Sequence, residues 1–149
     1  MKKIVSLITC ILLLAAIALP ASATGRTDVV YSNVTVLEDG TQITDEIIVG
    51  PQTRANGVTA TRTQTISRDG TVIGRLAFQA TFIYDGTTAY VSSKSVTRTD
   101  TYEGWNYKQN SFTSSGGTVT LDGKLTKLLV LTTKFSMSLT CDKYGNLST

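Results

Sequence analysis

The chain has 149 residues, of which 14 are Lys or Arg and 11 are Asp or Glu, and it contains no histidine. Without histidine it cannot build a Ser-His-Asp or Cys-His catalytic site, and it lacks the commonest zinc ligand. The formal net charge is only +3, and the basic residues are scattered along the chain, unlike the concentrated patch of a nucleic-acid-binding protein. Composition therefore favours a protein that is not an enzyme, binds no cofactor and has no nucleic-acid partner.

The chain begins with the pattern of a secretory signal peptide. Lys2 and Lys3 precede the apolar run from Ile4 to Leu19, and Pro20-Ala21-Ser22-Ala23 ends in the small-x-small pattern at which a signal peptidase cuts. The apolar run is shorter than the ~20 residues that span a bilayer, so cleavage is favoured over an uncleaved anchor. Cys10 lies inside this run, which argues against lipidation.

We therefore predict a signal peptide at residues 1–23 and a single secreted domain at residues 24–149. A membrane is expected to be a partner only through the signal peptide, if it stays uncleaved. Cleavage leaves 12 basic residues against 11 acidic ones, a net charge of +1, and leaves Cys141 as the only cysteine. Because an intramolecular disulfide then cannot form, the stability of the domain must come from core burial and strand pairing.

The remainder of the chain has the composition of a β protein. Thr, Val, Ile, Tyr and Phe are abundant, and these residue types fit a pleated, half-buried surface. Asp-Gly pairs lie between strand-like runs, where they are typical of tight hairpin turns. The four pairs are Asp39-Gly40, Asp69-Gly70, Asp85-Gly86 and Asp122-Gly123. The sequence predicts an all-β fold, an antiparallel β-sandwich that is Ig-like or a similar meander of hairpins.

The predicted strands follow one another at short intervals. Asp45 and Glu46 indicate that the second strand lies at a sheet edge, and Arg62 and Gln64 indicate that the third is exposed on both faces. Residues 102–112 are predicted as strand or loop. The remaining strands are predicted at residues 29–37, 41–49 (the second strand), 58–68 (the third strand), 71–84, 87–99 and 118–121.

Residues 124–141 form a run too long for one ordinary strand of ~5–10 residues. We expect a break or bulge near residues 132–134. Apolar residues recur at the odd positions of this run: Leu125, Leu129, Leu131, Phe135, Met137, Leu139 and Cys141. Cys141 thus falls on the predicted core side, which favours a buried thiol over a disulfide between chains.

The carboxylates show a pattern of turn chemistry. Five of them stand at predicted turns, beside or near glycine: Asp39, Asp69, Asp85, Asp122 and Asp142. Asp side chains accept hydrogen bonds from backbone N–H groups in such turns. The Asp-x-Asp-x-Asp-Gly spacing of a calcium loop is absent from the sequence. We therefore expect no catalytic carboxylate pair and no metal site.

The strongest candidate for ligand binding is the segment Tyr102-Glu103-Gly104-Trp105-Asn106-Tyr107. Tyr102, Trp105 and Tyr107 could form an aromatic platform for sugar rings, with neighbouring polar groups binding hydroxyls. Alternatively, Trp105 is the core tryptophan of a sandwich and the tyrosines flank it, with their hydroxyls at the surface. The second interpretation is favoured, because a lone Trp in a small β domain is usually buried.

A resemblance to known proteins is carried by three segments: residues 80–89, Gly104-Trp105 and residues 138–148. In these segments the chain resembles a group of small secreted proteins of Gram-positive bacteria to which no function is assigned. The resemblance implies secretion and a β fold, and it carries over no catalytic or binding residue. In that group a second cysteine, on the strand where this chain has Tyr90-Val91, would pair with the counterpart of Cys141, and it is missing here.

These observations favour an exported, non-enzymatic binding or interaction domain at or near the bacterial cell surface. Its expected partner is a cell-surface glycan or a protein. One alternative is a polysaccharide-directed hydrolase or inhibitor that uses the Tyr102–Tyr107 region. Another is a self-assembling surface or matrix protein, since long strands, few prolines and near-neutral charge favour edge-to-edge pairing.

Overall fold

The structure is a computed structural model that describes residues 28–51, 56–128 and 130–149. The predicted signal peptide lies outside these residues. The described residues form nine strands: β1 (Asp28–Val36), β2 (Gln42–Val49), β3 (Gly57–Arg68), β4 (Thr71–Tyr84), β5 (Ala89–Thr101), β6 (Asn106–Ser115), β7 (Thr118–Lys127), β8 (Leu131–Cys141) and β9 (Leu147–Ser148).

The strands form two antiparallel sheets. Strands β1 to β5 make a five-stranded sheet and β6 to β9 a four-stranded sheet, each in chain order. The predicted all-β fold and the meander of hairpins are confirmed, and the two sheets face each other as in a β-sandwich. Neighbours in each sheet are always consecutive among the described strands, so these strands do not follow the Greek-key order of an Ig domain.

Three of the four Asp-Gly pairs lie at turns as predicted, with positive φ at Gly40, Gly70 and Gly86. The prediction is wrong for Asp122-Gly123, which lies in the middle of β7. There Asp122 accepts hydrogen bonds from the hydroxyls of Ser111 on β6 and Ser136 on β8, at 2.8 Å and 2.7 Å. This pair therefore does not form a turn, and its Asp122 side chain links β7 to the strands on either side.

The chain reverses between β7 and β8 earlier than predicted. The break expected near residues 132–134 is found between the end of β7 at Lys127 and the start of β8 at Leu131, where the Val130 amide donates to the Lys127 carbonyl at 3.2 Å. The turn contains no Gly or Asn, the residues that usually mark one. Leu131 is consequently exposed, whereas the sequence predicted it on the core face.

The core lies between the two sheets. Its buried apolar residues come from both: Ile47, Ala60, Ile66, Ile73, Leu76, Phe78, Ala80, Phe82, Trp105, Val119, Leu121, Leu125, Phe135, Met137, Leu139 and Cys141. When the half-buried side chains that pack on it are included, the first residue of this cluster in the sequence is Tyr31 and the last is Leu147. The segment 24–149 therefore contains both sheets and the whole of this core, and we expect it to fold on its own.

A polar cluster is buried beside the apolar core. Arg62 Nε donates to Asp45 Oδ1 at 2.9 Å, and a second guanidinium nitrogen donates to Asp45 Oδ2. Gln64 Nε2 donates to the same carboxylate at 3.1 Å. Arg62 also donates to the carbonyl of Ser138 on β8, in the opposite sheet. The cluster thus ties the two sheets together.

This cluster corrects two predictions. Arg62 and Gln64 were expected on a strand exposed on both faces, but both are buried. Asp45 was expected on an edge strand, yet β2 lies between β1 and β3, and β1 is at the edge. The reason is that strand alternation places Arg62 and Gln64 on the inner face with Ala60 and Ile66, and the Asp45 carboxylate compensates the buried charge.

Cys141 is buried, as the sequence predicted. Burial, and secondarily the Asp142 carboxylate, raises the pKa of its thiol from 9.0 to about 11.

Since the thiolate is the reactive form, the Cys141 thiol of the folded protein should react very slowly with iodoacetamide at pH 8 and rapidly in 6 M urea. A raised pKa also means that this group contributes stability below pH 9, which is lost as the pH rises through 11. Mass spectrometry of the alkylated chain is the measurement, and fast labelling of the folded protein would contradict a buried thiol.

Candidate functional site

One end of the sandwich brings together loops from both sheets. In an antiparallel meander alternate turns lie at the same end, and here the β3–β4 turn, the β5–β6 connection and the β7–β8 turn border a cleft of about 240 Å³. We call this the cleft end. The cleft is lined by Arg68, Asp69, Thr71, Ile73, Glu103, Trp105, Lys127 and Leu131.

The three aromatic candidates occupy different environments at this end. Trp105 is only 5% exposed, whereas Tyr102 is 39% exposed. Tyr107 is half-buried, and its ring stacks on Phe135 with the ring centroids 5.9 Å apart. Of the three, only Trp105 lines the cleft. The structure therefore does not bring the three rings together as one open surface.

Local backbone geometry explains the position of Trp105. Its amide donates to the Tyr102 carbonyl at 3.0 Å, which closes a turn with Glu103 and Gly104 at its centre. Both central residues have positive φ, 54° and 75°, as tight hairpin turns require. The turn carries the chain from β5 into β6, and it places the indole against the core while Glu103 lines the cleft.

The cleft combines apolar walls with charges of both signs. Ile73, Trp105 and Leu131 supply the apolar surface, and the lining also contains two basic residues and two acidic ones, Arg68, Lys127, Asp69 and Glu103. Such a mixture of apolar and charged groups suits the binding of an amphipathic partner.

Two carboxylates outside the cleft, Asp85 and Asp142, serve turns, as the sequence predicted. Asp85 accepts from the Thr87 and Thr88 amides, both at 2.8 Å, and Asp142 accepts from the amides of Tyr144 and Asn146. These hydrogen bonds favour the ionised form and lower the pKa of both carboxyls. A carboxyl held as an anion in this way is poorly suited to act as a general acid.

The β7–β8 hairpin ends in exposed apolar side chains. Leu128 is 82% exposed, Val130 83% and Leu131 41%. We call these three residues the apolar tip; Leu129, between them, lies outside the described residues. Sequence reasoning missed the tip because the run was assigned to a core face. The available signal was the loss of alternation over four consecutive apolar residues, Leu128-Leu129-Val130-Leu131.

Leu128 adopts a backbone conformation that disfavours leucine. Its φ is +53°, in the left-handed region that costs an L residue about 1–2 kcal/mol. Because its side chain is almost fully exposed, Leu128→Gly removes this strain without losing packing. We expect the variant to be about 1 kcal/mol more stable than the wild type. Urea denaturation measures the difference, and a destabilised variant would contradict this backbone geometry.

At the opposite end the chain forms a second shallow depression, of about 280 Å³. Its lining comes from the turns that follow β4 and β8, including Tyr84, Asp85 and Tyr144. Gly145, with φ +90°, approaches the Tyr84 ring so closely that a Cβ would lie 2.6 Å from Cζ. This contact packs the turn after β8 against the end of β4.

Among the described residues, no group of three or more His, Cys, Asp or Glu side chains is placed to hold a metal ion. Within the same part of the chain, no helix has the length and apolar character needed to cross a membrane. Comparison of the chain with protein-family models, with curated proteins and with solved structures gave no match.

Proposed function

We propose that this protein is an exported, non-enzymatic binding domain that acts at or near the bacterial cell surface and contacts its partner with the cleft end. One observation carries the proposal: the most exposed large apolar side chains of the described residues, Leu128 and Val130, belong to the turn between Lys127 and Leu131, and both of these residues line the cleft. Contiguous exposed apolar residues on a soluble domain commonly mark an interaction site.

The scaffold supports this role. Long paired strands hold the loops of the cleft end, and binding residues are often found on loops positioned in this way. The Arg68 guanidinium lies 3.9 Å from the Asp39 carboxylate, so an ion pair connects the β1–β2 turn with the end of β3. Export rests on the signal-peptide pattern of residues 1–23. We therefore expect the partner to be a glycan, a protein or another component of the envelope.

A second candidate function, self-assembly, is favoured by β1. This strand forms one edge of the five-stranded sheet, and several of its apolar side chains are exposed: Val29, Val30, Val34 and Val36. An unprotected edge with exposed valines is a template for pairing with a second copy. Size-exclusion chromatography across a hundredfold range of concentration tests it, and a strict monomer throughout would contradict it.

The polysaccharide alternative receives less support from the geometry. Trp105 is nearly buried and Tyr107 stacks on Phe135, so of these three rings only Tyr102 is open to a sugar ring. A lone exposed tyrosine offers a small part of the surface expected for an aromatic platform. We accordingly rank a role in polysaccharide binding or hydrolysis below the first proposal.

The proposed function can be tested by binding assays with the segment 24–149. Peptidoglycan, common glycans and lipid vesicles are the probes, and the emission of Trp105, the only tryptophan, reports occupancy of the cleft. Leu131→Ser alters the cleft end, and Tyr144→Ser is the matched control at the opposite end. We expect binding to weaken about tenfold in Leu131→Ser and to be unchanged in Tyr144→Ser. The reverse pattern would overturn the proposal.

A further inference from the structure

We propose that the apolar tip, together with a row of three lysines on the adjoining sheet face, docks this domain on a bilayer that contains anionic phospholipid. The inference rests on the proposed function, and it names the chemistry of the partner. Its carrying observation is the placement of Lys108, Lys124 and Lys134 beside one another, a few residues from the most exposed apolar side chains.

Strand register builds the lysine row. Lys108 on β6 pairs with Lys124 on β7, and Lys124 pairs with Lys134 on β8. Residues directly opposite in antiparallel strands project from the same face. Gly123, Leu125 and Phe135, which flank the row along the strands, are buried. The three ammonium groups therefore lie on the outer face of the four-stranded sheet.

The row is unfavourable for the isolated domain. Like charges directly opposite on neighbouring strands repel one another. Among the described residues none of the three lysines forms a salt bridge or a side-chain hydrogen bond. An anionic surface would relieve this repulsion, and each lysine near such a surface adds to binding.

The spacing of tip and row matches the layers of a bilayer interface. Lys124 precedes Leu128 by four residues and Lys134 follows Leu131 by three, which at ~3.3 Å per residue corresponds to roughly 10–13 Å along the strands. Interfacial segments bury their apolar side chains ~5–10 Å deep at the boundary between headgroups and acyl chains. With the tip at that depth, the flexible lysine side chains reach the phosphates.

The positions of the acidic residues allow the domain to bind with its apolar tip inserted in the bilayer. At the cleft end they are carried by the turns of the five-stranded sheet, by the end of β5 and by the connection between the sheets: Glu38, Asp39, Asp69, Asp100 and Glu103. On the face of the lysine row, Asp122 is already engaged by the hydroxyls of Ser111 and Ser136. Insertion of the tip with the outer face of the four-stranded sheet tilted toward the bilayer therefore brings the lysines toward the lipid and leaves most of these carboxylates on the far side.

The test is co-sedimentation of the segment 24–149 with vesicles of phosphatidylcholine alone or with 30% phosphatidylglycerol. We expect binding to the anionic vesicles, at least tenfold stronger than to the neutral ones and weakened by 0.5 M salt. Leu128→Asn with Val130→Thr should weaken binding about tenfold or more. Lys124→Gln with Lys134→Gln should weaken it about fivefold per lysine at low salt.

The controls separate docking from folding and from other partners. Val29→Thr removes an exposed valine at the opposite end, 58% exposed against 83% for Val130, and should leave binding unchanged. Thermal unfolding should show both tip and lysine variants at least as stable as the wild type, since they relieve strain or repulsion. Failure to bind either vesicle, or equal binding by the tip variant, overturns the proposal. If a glycan, a protein or a second copy binds instead and Leu131→Ser weakens that binding, the membrane proposal fails while the proposed function stands.

Discussion

Asp45→Asn is expected to lower the free energy of unfolding by about 3–5 kcal/mol, because it leaves the buried Arg62 guanidinium without its counter-charge. Arg62 and Asp45 are both buried, and two guanidinium nitrogens contact the two carboxylate oxygens. Asparagine keeps the shape of the side chain, so the decrease in the free energy of unfolding reflects mainly the removal of the carboxylate charge. Since small domains are stable by only about 5–15 kcal/mol, the variant should be partly unfolded at modest urea concentration.

The matched control is Asp100→Asn. Asp100 pairs with Arg98 at 3.4 Å, but both side chains are about half exposed. An exposed pair of this kind contributes about 0–1 kcal/mol. Urea denaturation of both variants measures the contrast. A loss below about 1 kcal/mol for Asp45→Asn would mean that the buried cluster does not tie the sheets together as described.

Gly123→Ala is expected to cost about 3 kcal/mol, the second large effect. A Cβ at this position would lie 2.5 Å from Phe135 Cζ and 2.6 Å from the Lys108 carbonyl oxygen. The ring could rotate only by losing its stacking on Tyr107, and the carbonyl belongs to the neighbouring strand. The variant must therefore distort the pairing of β6 with β7 or expel Phe135 from the core.

Gly50→Ala provides the comparison. Its nearest atoms would be the Thr59 carbonyl oxygen and Cβ, at 3.5 and 4.0 Å, which are ordinary contacts. Its stability should change by no more than about 0.5 kcal/mol, because the added methyl group meets no clash. Similar unfolding midpoints for the two variants would contradict the close approach of Phe135 to Gly123.

Local sequence signals predicted the hairpins well because their causes are local. Asp39-Gly40, Asp69-Gly70 and Asp85-Gly86 supply the positive φ that a tight turn requires, and each joins two consecutive strands. Alternation in the run 76–84 placed Leu76, Phe78 and Phe82 in the core, where they lie. These signals concern residues within a few positions of one another, so a single sequence reveals them.

Features that depend on strand pairing were not predictable in this way. The burial of Arg62 follows from a carboxylate 17 positions earlier and a carbonyl 76 positions later. The turn at Leu128 is imposed by the pairing of β7 with β8 against the propensity of its residues. The Asp122-Gly123 pair has the composition of a turn, but the packing of Phe135 and two serine hydroxyls hold it in a strand.

The candidate site illustrates the same division. The Tyr102–Tyr107 segment was singled out from composition, and the structure places it at the cleft end. Lys108, Lys124 and Lys134 were counted among scattered basic residues, since only the register of three strands brings them together. From the sequence we expected contact with a membrane only through the signal peptide. From the structure we propose in addition that the folded domain itself contacts lipid.

The most direct test of this proposal is a fluorescent probe on the apolar tip. In the segment 24–149 the buried Cys141 should react only very slowly, so Val130→Cys can be labelled selectively with an environment-sensitive nitrobenzoxadiazole dye, and Tyr144→Cys labels the opposite end. Anionic vesicles should shift the emission of the dye at position 130 to shorter wavelength and leave that at position 144 unchanged. An unchanged spectrum at position 130, or a shift only at position 144, would contradict docking through the tip.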